Sequence, residues 1–142
     1  MALWQFDFLI VPSGRAETMD EDNLISWKGI NISLDILNYL NSILERKNSW
    51  SQKIQQFGKK DSTSIELYYD NDLIDEISCQ LDLRNLSKRL LQDILEFIKQ
   101  IGGNIYYNKN IYRPDFNTIV NLMKSSDAAR FCNDPQKYFK EL

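Results

Sequence analysis

The chain of 142 residues is sized for one domain around one core, and 43% hydrophobic with 26% charged residues is the balance of a folded soluble protein rather than a disordered one. A formal net charge of -3 lacks the basic excess that nucleic-acid binders carry, and the absence of histidine removes the commonest general base and metal ligand. No stretch reaches the roughly 18 apolar residues of a membrane span, and two cysteines, Cys79 and Cys132, are too few for a closed zinc site.

The opening MALWQFDFLIVPSGR has no basic n-region, and Gln5 and Asp7 interrupt its apolar run at strand spacing. It reads as a first strand rather than a signal peptide, so a cytoplasmic chain with reduced thiols is expected. Over residues 4–11, Trp4, Phe6, Phe8 and Ile10 fall on one face, and Gln5, Asp7, Leu9 and Val11 on the other. Pro12 and Gly14 end the strand. A polar connection follows over 13–30, with the acidic run Asp20-Glu21-Asp22 and then Leu24, Ile25 and Trp27.

Ser33 is placed to cap a helix whose stripe is Ile36, Leu37, Leu40, Ile43 and Leu44. Residues 46–62 read as an irregular polar segment carrying Trp50 and Phe57-Gly58. Ile65, Leu67 and Tyr69 then alternate with Glu66, Tyr68 and Asp70. A turn at Asp70-Asn71-Asp72 leads to a return strand with Ile77, Cys79, Leu81 and Leu83 on its inner side. The period over 86–101 predicts a strong helix closed by Gly102-Gly103. Residues 104–107 read as a fourth strand. Pro114-Asp115 opens a C-terminal helix, and Asp134-Pro135 opens a last one running to Leu142.

The order strand, helix, strand, strand, helix, strand predicts one α+β domain over 1–142: a ferredoxin-like split βαβ (βαββαβ) sandwich with a C-terminal helical extension. The two long helices would cover one sheet face. The other face would show Gln5, Asp7, Glu66, Tyr68, Ser78, Gln80, Asp82, Arg84 and Tyr106. Asp7 and Asp82 there could hold a divalent cation, as in a small metal-dependent or ligand-binding enzyme. However, no paired-glycine acidic turn is present, and Arg84 competes for Asp82. Tyr68 and Tyr106 could stack bases, but Asp7, Glu66 and Asp82 would repel phosphate. The default is a solvated face, with Asp82 and Arg84 as a surface ion pair. Trp27, Trp50 and Phe57 would pin loops to the core. A homo-oligomer using this face or an edge is a third possibility.

The segments WQFDFLIVP, WKG at 27–29, WSQKIQQFGKKD at 50–61, IDEISCQLDLR at 74–84 and SSDAARFCNDPQKYFKEL at 125–142 together form a pattern. It resembles a group of small bacterial proteins that are similar to the immunity proteins of toxin systems. The chain departs from that pattern at Phe57, where tryptophan is common, and at Gln80, where a basic residue is expected. The resemblance implies no activity. Together with the negative balance and the absence of catalytic constellations and of a long apolar span, it leads to the expectation of a non-catalytic protein with no cofactor and no metal, binding a cognate toxin and neither nucleic acid nor membrane. Asp20, Glu21, Asp22, Asp7, Glu66 and Asp82 are the candidate partner-binding residues, because they would attract a basic surface.

Overall fold

The computed structural model describes residues 2–14 and 21–134. The alternation at the start of the chain forms β1 (Gln5–Pro12), which buries Phe6, Phe8 and Ile10 on one side. It is followed by α1 (Glu21–Ile25), α2 (Leu34–Ile43), β2 (Arg46–Lys47), β3 (Ile54–Phe57), β4 (Ser64–Asp70) and β5 (Leu73–Asp82). Then come α3 (Lys88–Gln100), β6 (Gly103–Tyr107), β7 (Asn110–Tyr112), α4 (Phe116–Lys124) and α5 (Asp127–Asn133). The expected helix beginning at Asp134-Pro135 lies outside the described residues, apart from Asp134, which ends α5.

Local chemistry explains most of these boundaries. The hydroxyls of Ser33, Ser87 and Ser126 accept the backbone N–H of Ile36, Leu90 and Ala129, capping α2, α3 and α5. Such caps are worth about 1 kcal/mol each. Asn71 and Asp72 both have positive φ (51° and 66°), as do Asn108 and Lys109 (50° and 65°). Paired left-handed residues are what a two-residue hairpin turn needs, because they match the twist of the flanking strands. The first pair joins β4 to β5 and the second joins β6 to β7.

The sheet order is β2-β3-β4-β5-β1-β6-β7, and every neighbouring pair is antiparallel. The four strands read from the sequence are β1, β4, β5 and β6. They stand side by side as β4-β5-β1-β6, but the sheet does not stop there. Instead of a four-stranded ferredoxin-like sandwich, the described residues form a seven-stranded open antiparallel sheet, widened by β2 and β3 on one edge and β7 on the other. The segment 46–62 conceals two of the added strands because Gln55 and Gln56 occupy the middle of β3. Neither glutamine is left unpaired: Gln56 Nε2 donates to the Gly58 carbonyl at 3.0 Å, and Gln55 Oε1 accepts the Tyr69 hydroxyl at 2.5 Å. β7 has only three residues, too few for a periodic signal.

The core lies on one side of the sheet. Phe6, Phe8, Ile10, Ile65, Leu67, Ile77, Cys79, Leu81 and Ile105 point into it, together with Leu40 of α2 and Leu91, Ile94, Leu95 and Ile98 of α3. α2 packs on α3, and Ile119, Met123 and Ala128 bring α4 and α5 into the same cluster. Trp27 and Phe57 are buried in it as expected, and the Trp27 indole N–H donates to the Ile10 carbonyl at 2.7 Å. Trp50 departs from the expectation, being 73% exposed.

Gly58 follows β3 at φ +83°, and a Cβ there would lie 2.2 Å from the Thr63 carbonyl oxygen. Backbone, not a movable side chain, fills that space. Gly58→Ala should therefore lower unfolding stability by at least about 2 kcal/mol in chemical denaturation. An unchanged midpoint would show that the 58–63 turn is not held as described.

Candidate functional site

Register places the polar residues of the sheet in rows on the face opposite the core. Gln5 stands opposite Asp82. Asp7 stands opposite Gln80, which stands opposite Ser64. Tyr106, Leu9, Ser78, Glu66 and Gln56 form the next row, and Glu76, Tyr68 and Ile54 the one beyond. The alternation read from the sequence thus sends these side chains where it predicted. What the structure adds is that the rows differ in environment.

The row at Gln5 and Asp82 is locked. Asp82 has no exposed side-chain surface, and Arg84 grips it with Nε on Oδ1 and Nη2 on Oδ2, both at 2.9 Å. The guanidinium lies 3.9 Å from the centre of the Trp4 ring. The Trp4 indole N–H and Arg84 Nη2 both donate to the Asp61 carbonyl, at 2.8 and 3.2 Å. Gln5 Nε2 donates to the carbonyls of Lys60 and Ser62, and Thr63 Oγ1 accepts the Asp82 N–H. The expected surface ion pair is instead a half-buried clamp that ties the 60–63 loop across the end of β1 and β5. Asp82 is therefore not presented to a partner. Nor does it pair with Asp7 around a metal, because the two carboxylates stand in different rows and Asp82 is held by Arg84. Among the described residues no group of three or more His, Cys, Asp or Glu side chains is placed to hold a metal ion.

The rows beyond the clamp line an open depression of about 550 Å³, bordered by Asp7, Tyr68, Glu76, Ser78, Gln80 and Tyr106. The Ser64 hydroxyl donates to Gln80 Oε1 at 3.0 Å, and Gln80 Nε2 donates to Ser78 Oγ at 3.0 Å, which fixes the floor. The Tyr68 hydroxyl donates to Glu66 Oε2 at 2.9 Å. Burial, reinforced by that hydrogen bond and the Glu66 charge, pushes the Tyr68 phenol up to about 12. Burial also raises the Glu76 carboxyl, with help from Asp75. Asp7 is the exception in this network. Its Oδ1 is buried and has no hydrogen-bond partner among the described residues. Burial pushes the Asp7 carboxyl up to about 6; the positive charge of the chain's N-terminus offsets part of that rise, and the negative Glu66 adds a smaller push upward.

The other expected contact residues divide. Glu66 is 9% exposed and lies behind Tyr68. Glu21 and Asp22 fall in the first turn of α1, and Asp20 lies outside the described residues. Glu76 was not among the expected contacts, although alternation with Ser78 and Gln80 puts it on the same face. Cys79 faces the core, where burial holds its thiol well above the ordinary range. No helix among the described residues is long and apolar enough to cross a membrane. No protein-family model matches the chain, and no curated protein or solved structure matches it.

Two outcomes follow from these environments. Burial alone would raise the Asp82 carboxyl, but the Arg84 hydrogen bonds and charge outweigh it and hold the carboxyl below its ordinary value. The clamp then stabilises the fold above the unfolded carboxylate pKa and is lost as pH falls through the folded one. Arg84→Ala leaves a buried, unpaired carboxylate. Its deficit in chemical denaturation should be large at pH 7 and shrink towards pH 4, as Asp82 takes up a proton.

Asp7 has the opposite sign. Its folded pKa lies above the unfolded one, so ionisation weakens the fold as pH rises from about 4 through about 6. The titratable groups that bear on it are the positive N-terminus of the chain, Glu66 and Tyr68 from β4, Glu76 from β5 and Tyr106 from β6. Asp7→Asn should raise the thermal midpoint by roughly 2–4 °C at pH 8 and leave it nearly unchanged at pH 4. Calorimetry at the two pH values would check the sign.

Proposed function

We propose that the chain is a non-catalytic bacterial binding protein, an immunity protein that neutralises a cognate toxin in the cytoplasm. The observation that carries this reading is the depression opposite the core, where Asp7 and Glu76 border a preformed hollow in a chain of net charge -3. An acidic, pre-organised concave face suits a basic protein surface, since complementary potentials steer association and reject like-charged partners. The resemblance of the WQFDFLIVP, WKG and IDEISCQLDLR segments to small bacterial proteins similar to immunity proteins supports the same reading. The order β4-β5-β1-β6 supports taking the middle of the sheet as a ferredoxin-like split unit, to which β2, β3 and β7 are additions.

A second reading is favoured by one observation, the Asp7 carboxyl titrating near 6 beside Tyr68 in a hollow. That group would serve as the base of a small ligand-binding enzyme. The two readings part on partner capture. Co-expression with the product of the neighbouring gene should give a complex that co-purifies and cells that survive that product. No complex together with no protection would overturn the immunity reading.

A further inference from the structure

We infer that the hollow on the sheet face receives one arginine side chain of the protein partner, its guanidinium seated on Asp7 and its plane against the tyrosines of the rim. The inference rests on the binding reading above and names the chemistry that the hollow would take. Asp7 supplies the first part of the argument. A buried carboxylate oxygen without a donor is costly, and among the described residues Asp7 Oδ1 is the one buried side-chain polar atom without a partner. The positive N-terminus of the chain eases the charge in part, but no described neighbour donates a hydrogen bond to Oδ1. Across the strand pair, the amide nitrogen of Gln80 is turned to Ser78, and its oxygen is occupied by Ser64. Oδ1 is itself closed to solvent, so a donor from outside meets the half-buried Asp7 carboxylate at its other oxygen, on the wall of the hollow.

The shape of the hollow selects among donors. Its floor at Leu9 and Ser78 is one row away from Asp7, a step of about 7 Å along the strand. Tyr68 and Tyr106 border the same hollow. A lysine would bring one strongly hydrated charge and no plane. An arginine brings a flat, weakly hydrated cation with several donors in one fork, able to pair with a carboxylate and lie on aromatic rings. The protein already uses this combination once, where Arg84 sits between Asp82 and the Trp4 ring. The hollow has the carboxylate and the rings but no guanidinium among the described residues lining it. Glu76 on the far side adds a second negative charge for the backbone or flank of a basic segment.

The test uses the intact protein, isotope-labelled, titrated with a blocked Gly/Ser peptide carrying a single arginine. Matched peptides carrying lysine or citrulline, and free arginine, are run alongside. The arginine peptide should shift the amide signals of Asp7, Leu9, Ser78 and Gln80. The lysine peptide should bind several-fold more weakly and the citrulline peptide should leave the signals in place. Asp7→Asn, which should fold at least as well as the parent, should weaken the arginine peptide by about tenfold or more. Glu45→Gln, a substitution on the exposed far edge, should change nothing. Equal binding by citrulline, shifts elsewhere on the surface, or no effect of Asp7→Asn would overturn the site. Free arginine binding as tightly as the peptide would overturn a protein side chain as the occupant.

The outcomes also separate this inference from the reading beneath it. If the neighbouring gene's product is captured equally well by the parent and by Asp7→Asn, the arginine assignment falls and the immunity reading stands. If the arginine peptide binds at Asp7 and no partner is captured, the immunity reading falls and the site stands.

Discussion

Everything in this molecule is arranged around one constraint: β1 must satisfy two incompatible surroundings at once. Its backbone is committed on both sides, to β5 and to β6. Its side chains alternate between an apolar core and a polar face with no leeway, because a one-residue slip would exchange the two. Phe6, Phe8 and Ile10 tie the helices to the sheet, and Gln5 and Asp7 are carried to the opposite side by the same pleat. The core and the candidate site are therefore not independent features. Burying the phenylalanines is what forces a carboxylate into the middle of a sheet, and the two neighbouring strands then decide how dry its surroundings are.

The polar face shows that residues of like chemistry are put to different uses by small changes in context. Asp7 and Asp82 are both aspartates on central strands, two pairs apart in register. Asp82 has a guanidinium two residues further along the chain, just past the end of β5, a tryptophan stacked behind that, and a loop folded over all three. Its charge is matched and sealed. Asp7 has a glutamine opposite it that is already engaged on both ends. Its Oδ1 has neither a donor among the described residues nor access to water, and its charge is only partly offset by the N-terminus of the chain. A matched, sealed charge fixes architecture, while an unmatched one on the wall of a hollow is where recognition chemistry concentrates.

How much of this could be read beforehand follows from the length scale of each signal. Strand β1, the hairpin of β4 and β5, and helix α3 carry long, regular periods, and all were legible. The capping Ser33 was local enough to read as well. Strand β3 was not, because IQQF has apolar residues only at its ends and its glutamines are satisfied by partners far along the chain. The face occupied by Asp82 was legible, but its burial was not. Nothing adjacent in sequence says that Asp61 and Trp4 will close over Arg84. The aromatic residues divided on the same ground: Trp27 finds a carbonyl and a core, whereas Trp50 finds neither close by in the chain and stays in solvent.

The edges of the sheet carry a last consequence. One border is β2, two residues long and made of Arg46 and Lys47; the other is β7, three residues long. Short or cationic borders are poor templates for an incoming strand. The sheet is in effect hemmed on both sides, so lateral growth into ribbons or fibres is discouraged. The broad face is then left as the direction from which another molecule can approach.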